Sequence, residues 1–263
     1  MPFFDELRKW LQEFAAHCVP SVSLDLVILG FHGGELKVLL LQPKAADDWC
    51  LPGGRIRKDE DLQMAADRTL RDRTGLDKLF LQQFYTFGDV NRLGRFSEEI
   101  RQRAGWSELI SSLSSEEIEF LTGRTLSVGF FALVDYTKVN PTLDFASEEC
   151  RWWAIPEVPS LILDHHDMIR MALKSLRRQL SYQPIGYNLL PEKFTMTELQ
   201  SLYETILGRS LDRRNFYKQM MAYGMLERLE RRPTIPSSKA PYLYRFIRAR
   251  YEELLNAEDL YRG

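Results

Sequence analysis

The stretch Gly53–Leu76, GGRIRKDEDLQMAADRTLRDRTGL, spaces its residues as a metal site would. A glycine pair opens it, Glu60 and Arg68 follow, and a helical run from about Leu62 to Arg73 closes on Gly75-Leu76. Positions 69, 72 and 73 stand at i, i+3 and i+4 and so share one helix face. Carboxylates there would hold Mg²⁺ against a diphosphate, because a hard cation takes oxygen ligands. This chain places Thr69, Asp72 and Arg73 on that face. Arg73 is a permanent cation. Against a divalent ion ~4 Å away, at an effective dielectric of about 20, its repulsion reaches about 8 kcal/mol, an upper bound for a side chain that can swing aside. A face with one carboxylate beside a permanent cation is a poor metal site, so metal-dependent hydrolysis is not expected, and no metal or cofactor is assigned.

A second set of residues carries charge for a different purpose. Between Leu190 and Arg250 the chain has twelve Lys/Arg against six Asp/Glu, a net +6, on a chain whose total is −2; the rest is therefore at −8. A basic segment on an acidic body points to a polyanion-binding module, although a solvated basic face has the same composition. The order of elements goes further. Thr195 and Glu198 have capping-box spacing before the stripe Leu199, Leu202, Tyr203, Ile206 and Leu207, which stops at Gly208. Asp212 then caps a helix ending at Gly224. Its inner face is Phe216, Met220 and Tyr223; Arg213, Arg214, Tyr217, Lys218 and Met221 fall on the other. Strand-like pieces at 225–231 and 241–247 flank a loop with Arg231, Arg232 and Lys239. Helix, short turn, basic helix and basic hairpin make a winged helix-turn-helix. Arg213, Arg214, Tyr217 and Lys218 are the candidate major-groove residues and Lys239 the candidate wing residue, acting on double-stranded operator DNA.

The elements that must position the first motif alternate in type. Residues 3–16 have helical spacing. Residues 21–31, SVSLDLVILGF, read as a strand, Gly33-Gly34 as a turn, and 35–42 as the hairpin partner. Strand-like runs follow at 79–87, 126–136 and 150–155, and a helical pattern at 165–181. This order suggests an α/β/α sandwich. Residues 93–124 read as an insertion of two short helices, with Ser114 and Glu117 at capping-box spacing. It is either a surface elaboration or a lid or dimer contact. Residues 182–191, YQPIGYNLLP, are the linker candidate. The expected organisation is an N-terminal helix (1–20), a sensing domain (21–181), the linker, a DNA-binding domain (192–250) and a tail (251–263).

Composition excludes several classes. The three cysteines, Cys18, Cys50 and Cys150, have no CxxC spacing, so a zinc site is not expected and a reducing compartment is. No run approaches the ~18 apolar residues of a membrane span, and the amphipathic N-terminus is not a signal peptide. A cytoplasmic protein with no membrane partner is expected.

The stretch from Gly54 resembles the Nudix box, Gx5Ex7REUxEExGU with U apolar: Gly54, Glu60, Arg68, Leu70 and Gly75-Leu76 keep its spacing, behind the lead-in WCLPGGRI. With the basic segment, the DHHDMI run at 164–169 and the pieces LLPEKFT, LYETILG and LDRRNF, the chain is similar to the Nudix-related transcriptional regulators, and closest to the arabinose-responsive branch. That resemblance covers roughly residues 20–248. It implies a Nudix-like sandwich joined to a winged helix, a homodimer, a palindromic operator, and release of DNA when a small effector fills the Nudix cleft. The N-terminal helix and the 93–124 insertion depart from it. Trp49, Arg55, Phe87, Asp89, Asn91 and Arg124 flank the place of a Nudix substrate and are the candidate effector-binding residues. Trp49 could face a sugar ring or be a core aromatic; Asp89 could bind hydroxyls or form a turn after Gly88. A metal-free cleft suits a neutral polyol, or an anion held by arginines, and a sugar is favoured over an ADP-ribose-like nucleotide. The alternatives are a Mg²⁺-dependent Nudix hydrolase of nucleoside diphosphate derivatives, or an ADP-ribose-sensing regulator of NAD metabolism.

Overall fold

The computed structural model describes residues 2–44, 46–75, 81–102, 105–139, 141–143, 146–180, 186–187, 189–231 and 240–256. They divide into two compact units: Met1–Leu29 with Lys37–Ala172, and Gly30–Leu36 with Leu173–Gly263.

The first unit is built on a six-stranded sheet. Its strands are β1 (Cys18–His32), β2 (Glu35–Pro43), β3 (Gly53–Arg57), β4 (Leu81–Phe87), β5 (Leu126–Val134) and β6 (Ser147–Ala154). The order is β4-β5-β1-β2-β6, and β3 pairs antiparallel with β1, Leu24 opposite Gly54. Strand β1 is apolar on both faces, so period-2 alternation sends Leu24, Leu26 and Ile28 to one side. There they meet Ala65, Ala66 and Leu70 of α2 (Leu62–Thr74). The opposite side of the sheet takes Asp25, Val27 and Leu29. Near Asp25 lies His165, the first residue of α6 (His165–Gln179), whose Met168, Ile169 and Ala172 are also buried. A sheet with a helix on each face is the expected α/β/α arrangement.

Local signals set the ends of α2. The Asp61 side chain accepts the Met64 N–H at 2.8 Å, and Gly75, at φ 69°, takes the left-handed conformation that a side chain would oppose. The 93–124 segment differs from expectation. Among the described residues it forms three short helices rather than two: α3 (Gly94–Arg101), α4 (Trp106–Ser111) and α5 (Ser115–Thr122). The capping box of Ser114 and Glu117 is present at α5. The N-terminal helix α1 (Pro2–Phe14) packs on this segment: Leu11, Cys18 and Phe120 form a small separate core, joined by Leu7, Trp10 and Leu121.

The second unit holds α7 (Met196–Leu207), α8 (Arg213–Ala222) and a three-stranded sheet. That sheet runs β7-β9-β8, from β7 (Phe194–Thr195), β8 (Leu226–Arg231) and β9 (Tyr242–Phe246). The Thr195/Glu198 capping box opens α7, and Gly208 ends it at φ 68°. Asp212 caps α8 by accepting the Asn215 N–H at 2.9 Å. Glu204 Oε1 accepts from Leu211 N–H at 2.7 Å and Gln200 Nε2 at 2.9 Å, which fixes the turn between the helices. A further helix, α9 (Arg248–Asn256), crosses the boundary expected at residue 250. Its buried Tyr251 stacks on Tyr187 at 5.2 Å and packs edge-on against Phe246 at 5.4 Å.

Candidate functional site

The box of the first unit keeps its frame. Arg68 donates to both Glu60 oxygens, at 2.6 and 2.8 Å, and through Nη2 to the Arg55 carbonyl at 2.9 Å. The pair holds the Glu60 carboxyl below, and the Arg68 guanidinium above, their ordinary values. Helix α2 is thus tied to β3 through Arg68 and Glu60, and the Glu60 carboxylate is spent. Thr69 is buried and its hydroxyl donates to Ala65 O at 2.8 Å, into its own helix. Of the three face positions, Asp72 alone offers a carboxylate, with Arg68 Nη1 3.9 Å away. Among the described residues no group of three His, Cys, Asp or Glu could hold a metal ion. The donor set does not fit Mg²⁺.

A pocket of about 300 Å³ lies over this face, lined by α1 (Leu7, Trp10), by β3 (Gly53, Gly54, Arg55, Arg57) and by Arg68, Thr69, Asp72 and Arg73 of α2, with Cys18 and Ala146. Arg55 sits here, but much of its guanidinium is committed. It donates to Phe120 O at 2.9 Å and Thr125 Oγ1 at 3.3 Å and lies 4.7 Å over the Phe120 ring. Burial lowers its pKa.

A larger cleft, about 860 Å³, opens at the ends of β4 and α6. Phe87, Asp89 and Asn91 line it, with Asp48, Arg92, Asp164, Asp167 and Arg170. Asp89 also forms the turn, since its Oδ1 accepts the Asn91 N–H at 2.7 Å. Arg170 pairs with Asp167 at 2.7 Å and Arg92 with Asp164 at 2.8 Å, so the lining is acidic on balance through Asp48 and Asp89.

Two candidates lie outside both spaces. Trp49 is buried, T-shaped against Trp153 at 5.2 Å with the Arg151 guanidinium 5.1 Å over its ring. It packs as a core aromatic does, outside the lining of either space. Arg124 is exposed and donates to Gly88 O at 3.1 Å, bracing the loop that bears Asp89 without lining the cleft.

Behind the large cleft stands a buried polar cluster that sequence reasoning did not assemble. Arg92 grips Asp164 through Nε at 3.1 and 3.0 Å and Nη2 at 2.8 Å, and its Nη2 is 3.5 Å from Asp25. Ser127 Oγ donates to Asp25 Oδ2 at 2.5 Å. His165 Nδ1 accepts the Leu51 N–H at 3.0 Å and its Nε2 lies 3.8 Å from Asp25. Burial drives the His165 pKa down, so the ring is neutral with its proton on Nε2. For Arg92, burial acts to lower the pKa, but Asp164 and Asp25 outweigh it and raise it. A signal existed: Asp25 is a lone charge in the apolar run SVSLDLVIL.

In the second unit α8 buries Phe216 and Met220 and exposes Arg213, Arg214, Tyr217 and Lys218. At 100° per residue these four span an arc of about 140° clear of the buried stripe. Tyr217 and Tyr244 are hydrogen-bonded; burial first, and this bond second, push Tyr244 up to about 12. Tyr217 therefore also fastens α8 to β9. On the strands Arg228 and Arg231 each lie 4.7 Å over the Tyr242 ring, and Arg231 lowers the Tyr242 pKa by hydrogen bonding. Lys239 lies outside the described residues.

These features define a Nudix fold joined to a winged helix. The chain belongs to the NUDIX domain family, whose model matches residues 20–172, and residues 186–246 match the NrtR DNA-binding winged helix domain. Over 258 residues it is 29% identical to a protein of Acinetobacter baylyi named ADPR responsive transcriptional repressor NtrR, covering 95% of this chain and 92% of that one. The crystal structure of Shewanella oneidensis NrtR superposes with a TM-score of 0.67 at 23% identity, over 88% of this chain and 95% of that one. The same protein complexed with a 27mer DNA gives 0.65 at 22%, over the same shares. The expected closeness to the arabinose-responsive branch finds no support: both the winged-helix model and the A. baylyi relative are of the NrtR kind.

Proposed function

We propose that this protein is a DNA-binding transcriptional repressor whose Nudix unit senses an ADP-ribose-like nucleotide and has no significant hydrolase activity. The observation that carries the reading is the pairing in one chain of an exposed basic recognition helix, α8, with a Nudix box that keeps only Asp72 of its three face carboxylates. A cleft that cannot hold a catalytic metal can still bind, and binding coupled to a DNA-reading module is regulation. The relative's name and the DNA complex of its structural neighbour support the same assignment. That name also favours the nucleotide over the sugar. Asp89 and Asn91, in an acidic cleft, suit ribose hydroxyls as well as those of a free sugar.

The sensing domain spans 21–181 with its insertion at 93–124, the linker 182–191 and the DNA-binding domain 192–250. The protein acts as a homodimer on a palindromic operator, with Arg213, Arg214, Tyr217, Lys218 and Lys239 at the DNA. An effector needs only to favour one dimer geometry in which the recognition helices miss adjacent major grooves; a coupling of ~1–3 kcal/mol changes operator affinity about 5- to 150-fold. The test is a gel shift on an operator obtained by binding-site selection, titrated with ADP-ribose, arabinose and glucose, alongside an assay of ADP-ribose turnover in Mg²⁺. Release by ADP-ribose alone, with no multiple turnover, is the expected result. Release by a sugar alone, or turnover that is lost on Asp72→Ala, would refute it.

A further inference from the structure

We infer that Arg228 is a further contact to DNA, gripping a backbone phosphate beside the groove that α8 enters, and that Tyr242 is its positioning residue. The inference rests on the DNA-binding reading above and adds to it a surface on the three-stranded sheet. The register of that sheet brings the residues together. Arg228 stands opposite Tyr244 and Arg231 opposite Tyr242, with a shift of register between the two pairs. Arg228 and Arg231 are three residues apart, so regular alternation would send them to opposite faces. The shift returns them to one face. There both guanidinium groups lie 4.7 Å over the Tyr242 ring, and Arg231 Nη2 also donates to the Tyr242 hydroxyl at 3.4 Å.

The same face leads to the recognition helix. Tyr244, two residues along β9 from Tyr242, is hydrogen-bonded to Tyr217, which belongs to the exposed arc of α8. Arg228 is exposed and one strand spacing from the residue on which α8 is fastened. On the opposite face Arg245 is the register partner of Glu227 and pairs with it at 2.7 Å, so its charge is neutralised within the sheet. A cation on the α8 side suits the sugar-phosphate backbone, which borders the groove that a recognition helix fills. The stack favours the same partner. An aromatic ring takes the flat face of a guanidinium and leaves the N–H edge to an acceptor, and a phosphate can accept two such bonds in one plane. Holding a long side chain before DNA arrives also reduces the rotamer freedom lost on binding. Arg231, bonded to the hydroxyl, steadies the ring, and Arg228 makes the contact.

The experiment is fluorescence anisotropy of the full chain on an operator obtained by binding-site selection, from about 50 to 200 mM salt. Arg228→Gln is expected to weaken binding roughly 10-fold per protomer on every sequence, and to flatten the salt slope by about 0.9 per protomer, as one lost phosphate contact does. Tyr242→Leu keeps the charge and removes the ring, so binding is expected to weaken roughly 2- to 5-fold with the slope unchanged. Tyr242→Phe, which keeps the ring, is expected to bind as the parent does. Misfolding cannot produce this split, because it lowers the active fraction and leaves the slope where it was. A parent slope in Arg228→Gln, a loss confined to one base pair of the operator, parent-like binding by Tyr242→Leu, or an equal loss in Tyr242→Phe and Tyr242→Leu would each overturn the inference. If Arg213→Glu/Lys218→Glu abolishes binding while Arg228→Gln keeps the parent slope, the DNA-binding reading stands and the sheet contact alone falls. A parent that binds no DNA at any salt concentration sinks both.

Discussion

Arg92→Met should cost the protein about 4 kcal/mol. The Arg92 side chain is 3% exposed, and its guanidinium lies between Asp164, held by three contacts of 2.8 to 3.1 Å, and Asp25, 3.5 Å away. Methionine fills similar volume but removes the cation. Two carboxylates are then left without their shared cation, with the Ser127 hydroxyl still donating to Asp25. Breaking a buried pair by deleting one partner costs ~3–5 kcal/mol, mostly from the stranded charge. In a unit of this size ~1 kcal/mol moves Tm by roughly 2–4 °C, so the midpoint should fall by about 8–16 °C. Scanning fluorimetry of the full chain at pH 7.5 reads this directly. Arg170→Met is the control: it breaks an ion pair on the rim of the same cleft, but at 75% and 60% side-chain exposure, where such pairs contribute ~0–1 kcal/mol. The double variant Arg92→Met/Asp164→Leu should recover part of the loss, since it removes a stranded charge as well. A Tm for Arg92→Met within 2 °C of the parent, on the order of one assay error, or an equal fall in Arg170→Met, would refute the argument that burial makes this pair matter.

Two further outcomes are expected. Arg213→Glu/Lys218→Glu should abolish the operator shift, while Lys218→Ala should weaken binding to all sequences and flatten the salt slope by about 1 unit; a parent-like shift in the charge-reversed protein would remove α8 from the interface. The buried neutral His165 should make stability depend on pH. Its pKa is lowered from 6.5, so the unfolded chain takes up a proton that the folded one refuses, and stability holds above pH 6.5 and falls below it, by up to about 1.4 kcal/mol per unit. His165→Asn, whose side-chain oxygen can still accept the Leu51 N–H, should flatten that profile; an unchanged slope would assign it to other groups.

Local chemistry was legible in the sequence and long-range assembly was not. The capping boxes at Ser114 and Thr195, the Asp212 cap and the hairpin at Gly33-Gly34 act within a few residues, so spacing alone exposed them. Ser127 and Asp25 meet across 102 residues, and Arg92 and Asp164 across 72; no periodicity encodes such a meeting. The two readings of Trp49 could not be separated in sequence, because an aromatic lining a cleft and one packed in the core look alike there. What separated them was Arg151 and Trp153, brought over the ring by strand β6. The N-terminal helix and the insertion are far apart in sequence, yet Leu11 and Phe120 share one small core, so they form one addition to the fold.

The box itself shows why its frame and its chemistry can part. Glu60 and Arg68 bind each other and the β3 backbone, Gly54 lets the strand pass 3.1 Å from the Thr69 hydroxyl at the point where a Cβ would stand, and Gly75 turns the chain at φ 69°. All of these hold helix against strand whether or not an ion is bound. The three face positions do none of this work. Thr69 satisfies its hydroxyl within the helix, Asp72 is more than half exposed, and Arg73 lines the pocket with them. Changing them alters what the cleft attracts while the scaffold that positions it stays intact. A fold of this kind can in this way change what its cleft binds through side chains alone.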